Sequence, residues 1–168
     1  MYRSRLAAAV ALMAVAVGAC AETPKAADLQ EAAAKGPEMS DSDATQAVFD
    51  YIDLVNDALA GEGTSDLSAA TDPGCTCNAL VDMIKNGLAG GGEFVGAEFS
   101  ASKVKVTSTE PGQAAVRATV SITAYEIQTP DGLLVDERPA ETYVATYVLH
   151  TDGDAWVVAD VKPVEDKS

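Results

Sequence analysis

Three cysteines are the side chains of this chain best suited to covalent chemistry. Cys75 and Cys77 lie one residue apart in the stretch TDPGCTCNALVDMI, and Cys20 follows an apolar run near the amino terminus. A close pair could form a disulfide, bind a metal, exchange disulfides with other thiols, or pack as two inert thiols. The compartment decides between these options, because disulfides persist in oxidising surroundings and are rare in the cytosol.

Residues 1–19 are predicted to be a secretory signal peptide. Arg3 and Arg5 form a short basic head, and an unbroken apolar run follows at 6–17. Small residues at 18 and 19 complete the pattern that precedes signal cleavage. The apolar run is too short to cross a bilayer comfortably, since a spanning helix needs about 20 residues. The sequence therefore predicts export of the chain.

The residues VGAC at 17–20 resemble the bacterial lipobox, in which an apolar residue and two small residues precede a cysteine. The resemblance implies cleavage between Ala19 and Cys20 and a diacylglyceryl group on the Cys20 sulfur. Several acyl chains, such as palmitate, anchor a protein stably, whereas one chain binds a membrane only marginally. We expect a lipoprotein held in the cell membrane by Cys20, facing the extracytoplasmic side. The alternative is ordinary signal cleavage nearby, which would leave Cys20 as a free thiol.

The composition is strongly acidic and limits the classes of partner. Eleven Lys and Arg residues face 26 Asp and Glu residues, which gives a formal net charge of −15. Such a surface repels nucleic-acid phosphates and anionic lipid head groups. We therefore expect no nucleic-acid partner. The lipid on Cys20 would connect the chain to the membrane, and an envelope protein or a small-molecule ligand remains as a further partner.

The chain divides into the signal peptide at 1–19, a lipidated cysteine and flexible tether at 20–41, and one domain at 42–165. The domain begins with a long helix whose predicted capping box pairs Asp43 with Gln46. A short helix is expected at 64–70, and Asp72 followed by Pro73 predicts the start of a second long helix. The first long helix has one apolar stripe, formed by Ala44, Val48, Tyr51, Ile52, Val55 and Leu59.

The apolar period changes from about 3.6 to 2 after the glycines at 90–92. Four long strands are predicted around 103–106, 116–123, 143–149 and 155–163, and Asp152–Gly153 indicates a hairpin between the last two. Helices that precede an antiparallel sheet are typical of the α+β class. The predicted fold has two long amino-terminal helices with a short one between, packed on a curved four-stranded antiparallel sheet like a cone.

This element order, with the ending DGDAWVVADV at 152–161, resembles the nuclear-transport-factor-2-like (cystatin-like) superfamily. More narrowly, the TDPGCTCNALVDMI segment resembles a lipoprotein domain of unknown function from high-GC Gram-positive bacteria. The superfamily resemblance implies a pocket in the cone that can hold acids and tyrosines. The candidates are Tyr51, Tyr125, Tyr143, Tyr147 and Asp160, although cross-strand packing and solvent-facing phenols are the favoured interpretation of these residues.

If Cys20 is lipidated, Cys75 and Cys77 remain as a pair. Side chains two apart on a regular helix point about 200° apart, so a bridged pair requires the helix to begin at or after Cys77. Zinc prefers four ligands, and besides the pair the chain offers one histidine, His150. We expect a disulfide between Cys75 and Cys77, with no metal site, cofactor or catalytic residue. The leading hypothesis is a binding or scaffold module; the alternatives are a cone enzyme with a pocket acid or a thiol–disulfide protein.

Overall fold

A computed structural model of the chain describes residues 40–153 and 155–164. The predicted signal peptide, the lipidation site at Cys20 and the tether up to residue 39 lie outside the described residues. Within them, no helix is long and apolar enough to cross a membrane. Three helices come first: α1 (Asp41–Leu59), α2 (Thr64–Ala69) and α3 (Asn78–Ala89). The strands are β1 (Glu93–Val95), β2 (Phe99–Glu110), β3 (Gln113–Ile122), β4 (Tyr125–Gln128), β5 (Leu134–Arg138), β6 (Glu141–Asp152) and β7 (Ala155–Pro163).

Helix α1 begins with a capping box one turn earlier than the sequence suggested. The Ser40 hydroxyl accepts the Asp43 N–H at 3.2 Å, and the Asp43 carboxylate accepts the Ser40 N–H at 3.2 Å. The predicted pairing of Asp43 with Gln46 is wrong, because Asp43 is the third helical residue and Gln46 donates to Asp50 instead. The predicted apolar stripe is confirmed, and all six of its residues are buried.

Helix α3 begins at Asn78 and not after Asp72, so the predicted start of the second long helix is wrong. The Asp72 carboxylate accepts the Gly74 N–H at 2.8 Å, which makes a turn of the kind that aspartate favours. The Asn78 side chain then donates to the carbonyl oxygens of Asp72 and Pro73 at 2.9 and 3.1 Å. These bonds give the two carbonyl oxygens of the turn a hydrogen-bond donor. Because the helix begins only at Asn78, both Cys75 and Cys77 precede it.

The main sheet is antiparallel, with the strand order β2-β3-β6-β7. Its register is interrupted in β2, where Lys103 has a φ of 51°, and in the β6–β7 pair beside Leu149. Such bulges bend a strand and increase its twist, which curves the sheet around the helices. The Asn56 side chain fixes α1 to this sheet by donating to the Phe99 carbonyl at 2.9 Å and accepting the Phe99 N–H at 2.8 Å. The predicted α+β, cone-like class is confirmed.

A second sheet, with the order β1-β4-β5, was not predicted from the sequence. It packs on α3 through Phe94, whose ring lies where a Cβ on Gly87 would come within 2.7 Å of it. A glycine at position 87 therefore allows the strand and the helix to meet. Strand β5 lies at an edge of this sheet. It begins within an exposed apolar segment formed by Leu133, Leu134 and Val135.

Candidate functional site

A cavity of about 480 Å³ opens between α1, α3 and one end of the main sheet. Its volume falls within the range of about 300–1,000 Å³ that is typical of small-ligand pockets. The apolar part of its wall includes Ile52, Val55, Leu80, Met83, Ile122 and Val161. Its polar part is formed mainly by the four tyrosines predicted as pocket residues, Tyr51, Tyr125, Tyr143 and Tyr147.

Strand parity and the α1 stripe together bring three of these phenols to one place. Tyr143 and Tyr147 are an even number of residues apart on β6, so they share the face that packs on the helices. Tyr51 comes from the buried stripe of α1 and meets Tyr147 edge to face, with ring centroids 5.9 Å apart. This is a preferred aromatic geometry, and it fixes two walls of the cavity against each other.

Burial makes the phenols of the cavity harder to ionise. It raises the pKa of Tyr51 to about 12, and the neighbouring Tyr143 phenol adds to the increase. Burial likewise raises the pKa of Tyr147 and, together with the nearby Glu141 carboxylate, that of Tyr143. Desolvation penalises the phenolate, so these hydroxyls, which are protonated at neutral pH in any tyrosine, become still harder to ionise. The cluster can thus exchange hydrogen bonds with a ligand but is poorly suited to act as a base.

The Tyr51 hydroxyl is buried and has no hydrogen-bond partner within the part of the chain that the structure describes. Because Tyr51 is 4% exposed, this hydroxyl has lost its water without gaining a bond in exchange. A buried, unpaired polar group costs on the order of 1–3 kcal/mol. The cost is local to the cavity wall, where the Tyr51 ring also separates the cavity from a second depression.

Tyr125 lines the cavity from the second sheet. Its ring is tilted against that of Phe94, with centroids 6.3 Å apart. Since Phe94 also packs on Gly87 of α3, Tyr125 links this wall of the cavity to both the small sheet and the helix.

Asp160, the acid predicted for the pocket, does not line the cavity. The register shift beside Leu149 pairs Asp160 with Val148, on the outer face of β6, and leaves Val161 opposite the inward-facing Tyr147. The Asp160 carboxylate accepts the Thr76 hydroxyl at 2.6 Å, and this bond lowers its pKa. A lowered pKa is the opposite of what a general acid in a pocket needs.

Glu141 is the carboxylate that does line the cavity, and the sequence analysis missed it. It is the first residue of β6, and it pairs with Ile122 at the end of β3. Glu141 is an even number of residues from Tyr143 and Tyr147 along β6, so strand alternation places it on their face, and this signal could have identified it. The side chain is exposed and lies at the mouth of the cavity.

The sulfur atoms of Cys75 and Cys77 lie at bonding contact, with Cα atoms 5.1 Å apart. This geometry is available because α3 begins only at Asn78, as a bridge between residues two apart requires. Cys77 is part of the cavity wall, and both cysteines are buried. The Thr76 hydroxyl between them donates to Asp160 and also contacts the Val161 carbonyl at 3.0 Å, which attaches the bridged turn to β7.

A smaller depression of about 290 Å³ is also lined by Tyr51, together with Leu149 of β6. Its rim carries Asp43 and Asp50 from α1, and its floor includes Trp156 of β7. His150 lies nearby in the fold, with its Nε2 3.8 Å from an Asp72 carboxylate oxygen. Among the described residues, no group of three or more His, Cys, Asp and Glu side chains could hold a metal ion.

No known protein family matches this chain by sequence, and no curated protein matches it either. The intermembrane-space region of the chloroplast protein ARC6 is similar in structure, with a TM-score of 0.56 and 16% identity over 77% of this chain and all of that one. An uncharacterised Caulobacter vibrioides protein with a cystatin-like fold aligns with a TM-score of 0.48 and 15% identity, over 72% and 89% of the two chains.

A provisionally named scytalone dehydratase from Novosphingobium aromaticivorans also aligns, with a TM-score of 0.49 and 15% identity, over 82% of this chain and 87% of that one. The chain shares its fold with the ARC6 region. At 16% identity this likeness shows the fold alone, so any function has to be argued from the cavity.

Proposed function

We propose that the domain is a binding module whose cavity takes up a small, mainly apolar molecule. The observation that carries this proposal is an aliphatic and phenolic wall around a cavity of about 480 Å³. Pockets of this kind gain affinity from apolar contact and orientation from a few polar groups. Tyr125, Tyr143 and Tyr147 supply such groups in the form of hydroxyls and ring faces.

Binding fits the cavity better than the alternative of an enzyme with a pocket acid. That alternative requires a carboxylate whose pKa is raised inside the cavity. Asp160 lies outside the lining and has a lowered pKa, and Glu141, the carboxylate in the lining, is exposed to solvent rather than buried in the cavity. Thiol–disulfide exchange needs an accessible sulfur. Cys75 and Cys77 are both buried residues, 5% and 8% exposed, which disfavours the thiol–disulfide alternative.

We further propose that this module is a lipoprotein of the extracytoplasmic cell envelope. The support is the signal-like sequence at 1–19 and the lipobox-like VGAC, which would place an acyl group on Cys20. The tether at 20–41 would hold the cavity away from the membrane, where a diffusing ligand or an envelope protein could reach it. Mass spectrometry of the mature chain tests this: an acylated residue 20 at the new amino terminus supports it, and a bare Cys20 or an intact leader refutes it.

Titration with the uncharged fluorescent probe N-phenyl-1-naphthylamine tests the cavity itself. The protein is the chain from residue 20 carrying Cys20→Ser, so that no acyl group competes for the probe. We expect the probe fluorescence to increase and to saturate. Ala79→Phe, which adds a ring to the cavity lining, should lower the affinity for the probe at least about fivefold. Ala47→Phe is the matched control, because Ala47 lines the other depression. Equal binding to both variants, or no saturable binding to the parent protein, would refute the proposal.

A further inference from the structure

The side chains that line the cavity carry formal charge of one sign only. Among the described residues that line it, Glu141 is the one charged side chain, and none is Lys, Arg or His. Glu141 is exposed at the mouth, while the walls behind it are apolar or phenolic. A ligand in the cavity would therefore meet a single formal charge, and that charge is negative.

Nothing in the described residues neutralises the Glu141 carboxylate. The ion pairs found there join Arg138 to Asp136 at 2.8 Å and Lys162 to Asp160 at 3.2 Å, with His150 close to Asp72. Lys162 lies between Val161 and Pro163 of the lining, but its ammonium group already has Asp160 as its carboxylate partner. The mouth of the cavity thus retains an uncompensated negative charge.

The aromatic groups beside Glu141 favour a cation further. Tyr143 lies two residues along the same face of β6, and Tyr125 lines the same cavity. Both rings are half-buried, so part of each remains open to a ligand. Phenol faces attract ammonium groups, most strongly where water is partly excluded. The net charge of the chain, −15, adds a long-range attraction for cations and a repulsion for anions.

We propose that the cavity selects amphiphilic cations, with the apolar body of the ligand inside and its ammonium head at the mouth against Glu141 and the tyrosine rings. This inference rests on the proposed binding function and adds the chemical class of the ligand. An anionic head group of the same size would meet a carboxylate without any basic partner. An uncharged head group would gain the apolar contacts alone.

Three probes with the same tail test the inference: decyltrimethylammonium, decanol and decanoate, each below its micelle concentration at pH 8. They displace N-phenyl-1-naphthylamine from the chain that begins at residue 20 and carries Cys20→Ser. We expect the cation to bind about three- to tenfold more tightly than decanol, and decanoate to bind most weakly. The preference for the cation should decrease as ionic strength rises.

Two charge-matched variants locate the effect. Glu141→Gln should lower the affinity for decyltrimethylammonium about threefold, a larger change than for decanol. Glu137→Gln, which removes the same charge from an exposed position on β5 outside the lining, should change neither affinity measurably.

The failures of the two proposals look different. Decanoate binding as tightly as the cation, or equal effects of the two variants, overturns the charge selection while the cavity remains a binding site. If none of the three probes displaces the fluorophore or binds by calorimetry, the binding function fails and the inference fails with it.

Discussion

The two ends of strand β6 differ, although the same strand and the same helix form both. At one end Leu149 is fully buried, as are Val48 and Leu67 of the same hydrophobic core, and Leu149 also lines the smaller depression. At the other end Tyr143 is half-buried and faces the cavity with Glu141 and Ile122. We call these the filled end and the open end of the cone.

The difference between the ends indicates how the fold divides its tasks. The filled end consists of fully buried aliphatic groups beside the smaller depression, and burial of such groups supplies most of the stability of a domain. The open end leaves a cavity and retains an unpaired Tyr51 hydroxyl, both of which cost free energy of folding. A substitution at the filled end should therefore act on stability, and one at the open end mainly on binding.

The largest expected effect comes from truncating the filled end. Leu149→Ala should lower the free energy of unfolding by about 2–5 kcal/mol, because the packed neighbours cannot fully collapse around the missing atoms. Tyr143→Ala at the open end of the same strand should cost only about 1–2 kcal/mol but weaken probe binding. Urea denaturation and probe titration of both variants measure this contrast. Equal losses of stability would show that the open end is packed as tightly as the filled end.

Alkaline pH should act on the open end through its phenols. The pKa of Tyr51 is about 12 in the folded state against about 10 in the unfolded chain, so the folded state keeps its proton longer. The stabilisation is complete below pH 10 and is lost as pH rises toward 12, by about 1.4 kcal/mol per pH unit for each such group.

Urea denaturation at pH 9 and pH 11, with tyrosine ionisation followed by absorbance, tests this dependence. Tyr51→Phe serves as the control and should show a smaller decrease of stability between the two pH values. A decrease of the same size in both proteins would assign the effect to other groups.

Removing the bridged turn should have a smaller effect on stability. The loop between Cys75 and Cys77 is so short that closing it restricts the unfolded chain little, by about 1–2 kcal/mol. The Cys75→Ser, Cys77→Ser double variant should therefore remain folded, with a Tm a few degrees lower, while its probe binding weakens because Cys77 is part of the cavity wall. Calorimetry and probe titration measure the two effects. Thr76→Val is a useful comparison, since it loses the bond to Asp160 and keeps both cysteines.

The smallest expected change is that of Tyr51→Phe at neutral pH. Removing a buried hydroxyl that has no partner among the described residues should leave the free energy of unfolding unchanged or raise it by up to about 1 kcal/mol. Tyr147→Phe is the matched substitution on the facing strand. A loss of more than about 1 kcal/mol for Tyr51→Phe would mean that its hydroxyl has a bonding partner after all.

The sequence was sufficient for the elements with a long, regular period. The α1 stripe and the long strands β3 and β6 combine strong periodicity with burial on one face, so their positions could be predicted. Strands β1 and β4 have only three and four residues. They are held in place where Phe94 of β1 packs on Gly87 of α3 and on Tyr125 of β4. That contact joins parts of the chain that no local pattern connects.

The site was predictable to the extent that it follows strand parity. Tyr143 and Tyr147 share a face by their spacing, and Glu141 belongs to the same series. Asp160 differs because the bulge in the β6–β7 pair shifts the register, and no residue pattern in the sequence marks that bulge. The late start of α3 likewise depends on the Asp72 turn, which competes with a helix start signal of the same residue types.

Methyl NMR during titration with decanol is the most direct test of the central claim that the open end of the cone is a ligand site. The account predicts saturable shifts of the Val55, Ile122 and Val161 methyl groups, which line the cavity, and no shifts of Val48, Leu67 and Val116 at the filled end. Shifts confined to Leu54 and Val158, which line the other depression, would contradict it, as would the absence of any saturable shift.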